Sequence, residues 1–166
     1  MKNIVLIGFM GSGKSTLAPL LAQALGSKCI DSDNYIESQE KRSITEIFAS
    51  QGEQHFRNLE QQFIHSFENT QNYIIATGGG MPIFNDISKL GICLYLQVDF
   101  KIITQRVMQS PNIRPLFCDL EKAKQLFIQR EPTYIRASNI IINANSTPEH
   151  VFQDTMKVLH DQINQK

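Results

Sequence analysis

Residues 8–16 read GFMGSGKST, a run in which three glycines lead into a lysine followed by two hydroxyl side chains. Gly8-x-x-x-x-Gly13-Lys14-Ser15 fits the Walker A pattern, and that spacing has a mechanical reason. Glycines let successive backbone N–H groups turn inward on an anion. The helix that follows adds its N-terminal amides and its dipole. Lys14 then reaches the β- and γ-phosphates of a nucleotide, and the Ser15 hydroxyl supplies a ligand to Mg²⁺. The expected context is present, because NIVLI at 3–7 reads as a buried strand and 14–25 as an amphipathic helix. The loop is therefore read as the site of a nucleoside triphosphate.

The other residues able to do chemistry lie further along. Asp31-Ser32-Asp33 follows the second strand. Carboxylates at i and i+2 point in different directions, one suited to a metal and the other to a second ligand, or both serve an acidic turn and helix cap. Gly78-Gly79-Gly80 directly follows another strand. Three glycines are conformationally costly, and they let backbone N–H groups approach a ligand where open α/β sheets bind theirs. Arg57 and Arg130 each lie in a helical pattern and, taken singly, read as surface residues. QSPNIRPLFCD at 109–119 carries Arg114 between two prolines and reads either as a plain surface loop or as a functional one. The Asn-Lys-x-Asp and Asp-x-x-Gly motifs of GTPase switches are missing, and no acid closes the 73–76 strand as a Walker B element.

The elements that must position these residues alternate. Apolar runs at 3–7, 28–30, 73–76, 92–98 and 139–143 read as strands of a parallel sheet covered on both faces. Helical patterns fill 14–25, 33–41, 44–69 with a break at Gly52, 99–109, 119–131 and 148–163. Ser43 with Glu46 forms a capping box, and Thr147 before Pro148 signs another helix start. Pro19 falls inside the first helix, where a local distortion or a water-capped carbonyl is expected. The pattern implies one three-layer α/β domain spanning 1–166. With a zero formal net charge, nothing global argues for a nucleic-acid or membrane surface. The opening residues are too short and glycine-broken for a membrane span and lack a leader cleavage site. Three scattered cysteines and four scattered histidines show neither a disulfide framework nor metal-ligand spacing. The cytoplasm is the expected compartment.

The P-loop, the DSD at 31–33, GEQHFR at 52–57, GGG at 78–80, RPL at 114–116 and REPTY at 130–134 occur together in one order. In this the whole chain resembles the shikimate kinases, small P-loop kinases of the nucleoside-monophosphate-kinase type. The resemblance implies a five-stranded parallel sheet in the order 2-3-1-4-5, a substrate-binding region at about 32–60 and a lid at about 109–119. It implies ATP and shikimate as substrates, Mg²⁺ as cofactor, and a monomer without nucleic-acid or membrane partners. Nucleotide contacts fall to Gly11, Ser12, Gly13, Lys14, Ser15 and Thr16, with Arg114 closing from the lid. Lys14, Asp33 and Arg114 become the catalytic residues. Asp33, Arg57, Gly79 and Arg130 become the shikimate contacts, the two arginines acting as a carboxylate clamp. Ser15, with Asp31 through water, holds the metal. Two departures stand out: Pro19, and a 143–148 stretch without the arginine that some members place near the adenine. A gluconate- or nucleotide-type kinase and a non-catalytic nucleotide-binding module are the rival readings.

Overall fold

Ile4–Ile7 are all apolar and at most 2 % exposed, the mark of a strand covered on both faces at the centre of a sheet. The computed structural model describes residues 1–111 and 115–164, the side chains of 115 and 162–164 excepted. In it β1 (Ile4–Ile7) pairs in parallel with β3 (Tyr73–Ala76) on one side and β4 (Ile92–Gln97) on the other. Beyond these lie β2 (Lys28–Asp31) and β5 (Ile140–Asn143), giving the order β2-β3-β1-β4-β5. This is the topology that the resemblance implied.

The helices that flank the sheet are α1 (Lys14–Leu25), α2 (Ser32–Glu40), α3 (Ile44–Phe67), α5 (Phe100–Met108), α6 (Leu120–Ala137) and α7 (Pro148–Asn164), with a short α4 (Met81–Phe84) after β3. The Ser43 capping box is formed, with Glu46 accepting from the Ser43 amide at 2.8 Å. Thr147 Oγ1 likewise accepts from the His150 amide in the first turn of α7. Gly52 breaks α3 as expected; its φ of 83° suits glycine and bends the chain between two helical halves. A small apolar cluster, Ile36, Ile47, Phe56 and Leu59, joins α2 to α3 separately from the main core on the sheet.

Two helices differ from the sequence reading. α4 was not anticipated. α6 does not stop at 131 but continues across Pro132 to Ala137. Pro132 is exposed, so water can serve the carbonyl it leaves without a helical donor. Tyr134, fully buried and stacked on Tyr95, holds the last turns of the helix against the sheet. α1 spans 14–25 as expected, and with Pro19 and Ser15 both on its solvent side water can serve the Ser15 carbonyl. The 109–119 segment is also tethered at its far end. Phe117, in a 3-10 turn at Pro115–Cys118, is buried against Phe9 and Phe100. That ring anchors the C-terminal end of the segment to the core. Arg114 lies outside the described residues.

Candidate active site

The carboxyl ends of the strands, where ligands of open α/β sheets bind, gather nearly every residue of interest. A cleft of about 470 Å³ is lined there by residues 10–17, Asp31, Asp33, Thr77 to Gly79, Arg106, Ala144, Ser146, Pro148 and Val151. Its floor is the loop between β1 and α1. Gly11, at φ 81°, lies so near α5 that a Cβ would sit 3.0 Å from Val107. Gly13 caps α1 with φ 98°, with no side-chain cap hydrogen bond among the described residues. The amides of that first turn are thus presented to an anion, as the Walker pattern requires. Lys14 is buried and folds back over the loop, donating to the carbonyls of Gly8 at 2.7 Å and Phe9 at 3.0 Å.

Asp31 takes the capping role and also reaches the phosphate loop. Its Oδ1 caps α2 by accepting from the Asp33 and Asn34 amides, while Oδ2 accepts from the Ser15 hydroxyl at 3.0 Å. An all-oxygen pair of one hydroxyl and one carboxylate fits Mg²⁺, which keeps several waters and is bound largely through nucleotide phosphates. No cluster of three or more His, Cys, Asp or Glu stands ready for a metal among the described residues.

The three glycines after β3 are explained by what approaches them. None is among the residues with positive φ. A Cβ on Gly78 would sit 2.5 Å from Asp33 Oδ1, and one on Gly80 would sit 2.7 Å from Arg57 Nη1. Glycine here makes room for a carboxylate on one side and a guanidinium on the other. Between them, the Gly79 carbonyl accepts from the Tyr134 hydroxyl at 2.7 Å. Burial pushes the Tyr134 phenol up to about 12, with Arg130 alongside opposing the shift. The phenol thus stays protonated and donating at neutral pH. The GGG turn accordingly touches Asp33 and Arg57 directly and Arg130 through Tyr134. Neither arginine lines the cleft itself.

Arg57 is held by ion pairs to Glu60 at 2.9 Å and Glu53 at 3.2 Å. Glu60 is fully buried and also accepts from Asn85 at 3.0 Å. Desolvation raises its pKa, and Arg57 partly offsets this. On α6, Glu131 ties the helix to β4 by accepting from Gln97 at 3.3 Å.

Sequence reasoning passed over Glu60, Asn85, Tyr134 and Arg106. Tyr134 stood in the quoted REPTY run without an assigned part. Arg106 carried no local signal. Only the fold brings it from α5 to the carbonyls of Ala144 at 2.7 Å and Ser146 at 2.9 Å, so an arginine does border the 143–148 stretch.

Comparison with known proteins agrees with this geometry. The family model described as shikimate kinase matches residues 10–160. A shikimate kinase of Helicobacter hepaticus is 40 % identical over 99 % of this chain and all of its own length. The crystal structure of shikimate kinase from Bacteroides thetaiotaomicron superposes with a TM-score of 0.86 at 30 % identity, covering 96 % of this chain and 98 % of that one. The Acinetobacter baumannii shikimate kinase, solved in complex with shikimate, gives 0.85 at 29 % identity over 100 % and 95 % of the two chains. By full-length sequence match, family model and fold together, the chain belongs to the shikimate kinase family.

Proposed function

We propose that the chain transfers the γ-phosphoryl group of ATP to the 3-hydroxyl of shikimate, giving shikimate 3-phosphate and ADP for the chorismate route to aromatic amino acids. The observation that carries this reading is the GGG turn, which seats an aspartate and an arginine beside the phosphate loop. Phosphoryl transfer asks mainly for in-line positioning and for charge stabilisation on the moving group. Residues 11–16 grip the phosphates, and Lys14 exchanges its loop carbonyls for phosphate oxygens. Ser15, with Asp31 through water, would hold Mg²⁺, which neutralises phosphate charge when bound. Arg114 adds a further positive charge from the 109–119 lid.

On the other side Arg57 and Arg130 take the acceptor carboxylate, a task suited to planar guanidinium forks. Asp33 orients the acceptor hydroxyls and receives the proton of the attacking one, while the Gly79 amide meets the acceptor. Arg106 and Pro148 border the far end of the cleft, where the adenine would lie. The chain acts as a single domain, with 32–60 as the acceptor region, and as a cytoplasmic monomer without nucleic-acid or membrane partners. Among the described residues no helix is long and apolar enough to cross a membrane.

A coupled assay of ADP release with and without shikimate tests the reading. ADP release should depend on shikimate and yield one phosphorylated product per ADP. Release independent of shikimate, or preference for gluconate or a nucleotide in an acceptor panel, would overturn it.

A further inference from the structure

Arg57 is paired with two carboxylates, and its guanidinium lies over two rings, that of Phe56 at 5.3 Å and, nearer, that of Phe84. Its guanidinium carbon stands 4.0 Å from the centre of Phe84, the last residue of α4. Phe84 is 48 % exposed, whereas its helix neighbours Met81 and Pro82 are buried. A half-exposed phenylalanine adds little to the core, so its position at the rim calls for a local reason. The next residue, Asn85, donates to the same Glu60 oxygen that pairs with Arg57. The end of α4 thus touches the arginine's face and the partner of its edge at once.

We propose that Phe84 is a positioning residue for acceptor binding. Its ring fixes the plane of the Arg57 guanidinium, so that the N–H groups not used by Glu53 and Glu60 are presented to the acceptor carboxylate. The inference rests on the reading of shikimate as acceptor. The geometry is economical, because a carboxylate docks in the guanidinium plane while an aromatic ring stacks over it. The two contacts do not compete. Nε of Arg57 is buried and has no partner among the described residues, which leaves a donor in that plane. The Arg57 side chain is only 12 % exposed, so the stack is less screened than one at an open surface.

The test is steady-state kinetics and shikimate binding on Phe84→Leu, Phe84→Ala and Phe84→Trp. Leucine keeps apolar bulk and loses the π face, whereas tryptophan keeps and strengthens it. The leucine and alanine variants should raise KM and Kd for shikimate roughly three- to tenfold, with KM for ATP unchanged. The tryptophan variant should restore wild-type affinity. In an Arg57→Ala background, Phe84→Leu should cost nothing further. Wild-type affinity in Phe84→Leu, or an equal rise in KM for ATP, would overturn the proposal. A wild-type protein inert toward shikimate would overturn the function on which it rests. An active wild type with an unaffected Phe84→Leu would overturn the proposal alone.

Discussion

The nucleotide side of the cleft comes from one uninterrupted run, residues 8–16, in which strand end, loop and helix start follow each other. The proposed acceptor side draws Asp33, Arg57, Phe84 and Tyr134 from four different helices, converging on the turn after β3. The two halves also work with different atoms. A phosphate is gripped mainly by backbone amides, whose direction depends on local conformation, and local sequence encodes that. A carboxylate with hydroxyls is recognised by side chains that only tertiary packing can aim. Binding of the shared substrate is thus built into the loop, and choice of acceptor into the fold.

Breaking the nucleotide side should have the largest effect. Lys14→Ala removes a buried, preorganised charge and should lower kcat by about 100-fold or more, read in the coupled assay. Gly78→Ala comes next. The added methyl meets the Asp33 carboxylate, and a displacement near 1 Å at a reacting group costs on the order of 10²-fold, so kcat should fall about 10- to 100-fold with KM for ATP unchanged. Gly80→Ala presses on Arg57 instead. Gly80 is in the right-handed helical region, which alanine adopts freely, and the obstructing atoms are the end of a flexible side chain. The fold should survive, and KM for shikimate should rise about tenfold through the displaced fork. These two variants sharpen the comparison, since neighbouring glycines should damage kcat and acceptor KM separately. Tyr134→Phe is the mildest. It leaves the Gly79 carbonyl without its donor and should lower unfolding stability by about 1 kcal/mol, measured by urea denaturation, with a modest rise in acceptor KM.

The same contrast explains how far the sequence could be read. The strands, the helix starts and the break at Gly52 were legible because apolar runs, caps and glycine each leave a local mark, whereas the strand order came only with the family resemblance. The P-loop was legible for the same reason. α4 was not, since four residues, MPIF, offer no period to detect. The end of α6 was misplaced because Pro132 is an ordinary stop signal. Here an exposed proline and a buried Tyr134 beyond it let packing override propensity. The glycine triplet was read for backbone reach, yet two of its members have glycine because other side chains need the space. Glu60, Arg106 and Phe84 had no mark at all, for each acquires its place only from a distant or a following element.

The account turns on the two ligands being held by separable machinery, and Arg57→Lys tests this most directly. Lysine keeps the charge but loses the planar fork, so it cannot bind a carboxylate edge-on while stacking flat on Phe84. Dissociation constants for shikimate and for ATP should be measured independently on this variant. The account predicts that shikimate affinity falls about tenfold or more while ATP affinity stays at the wild-type value. Equal weakening of both, or unchanged shikimate affinity, would contradict it.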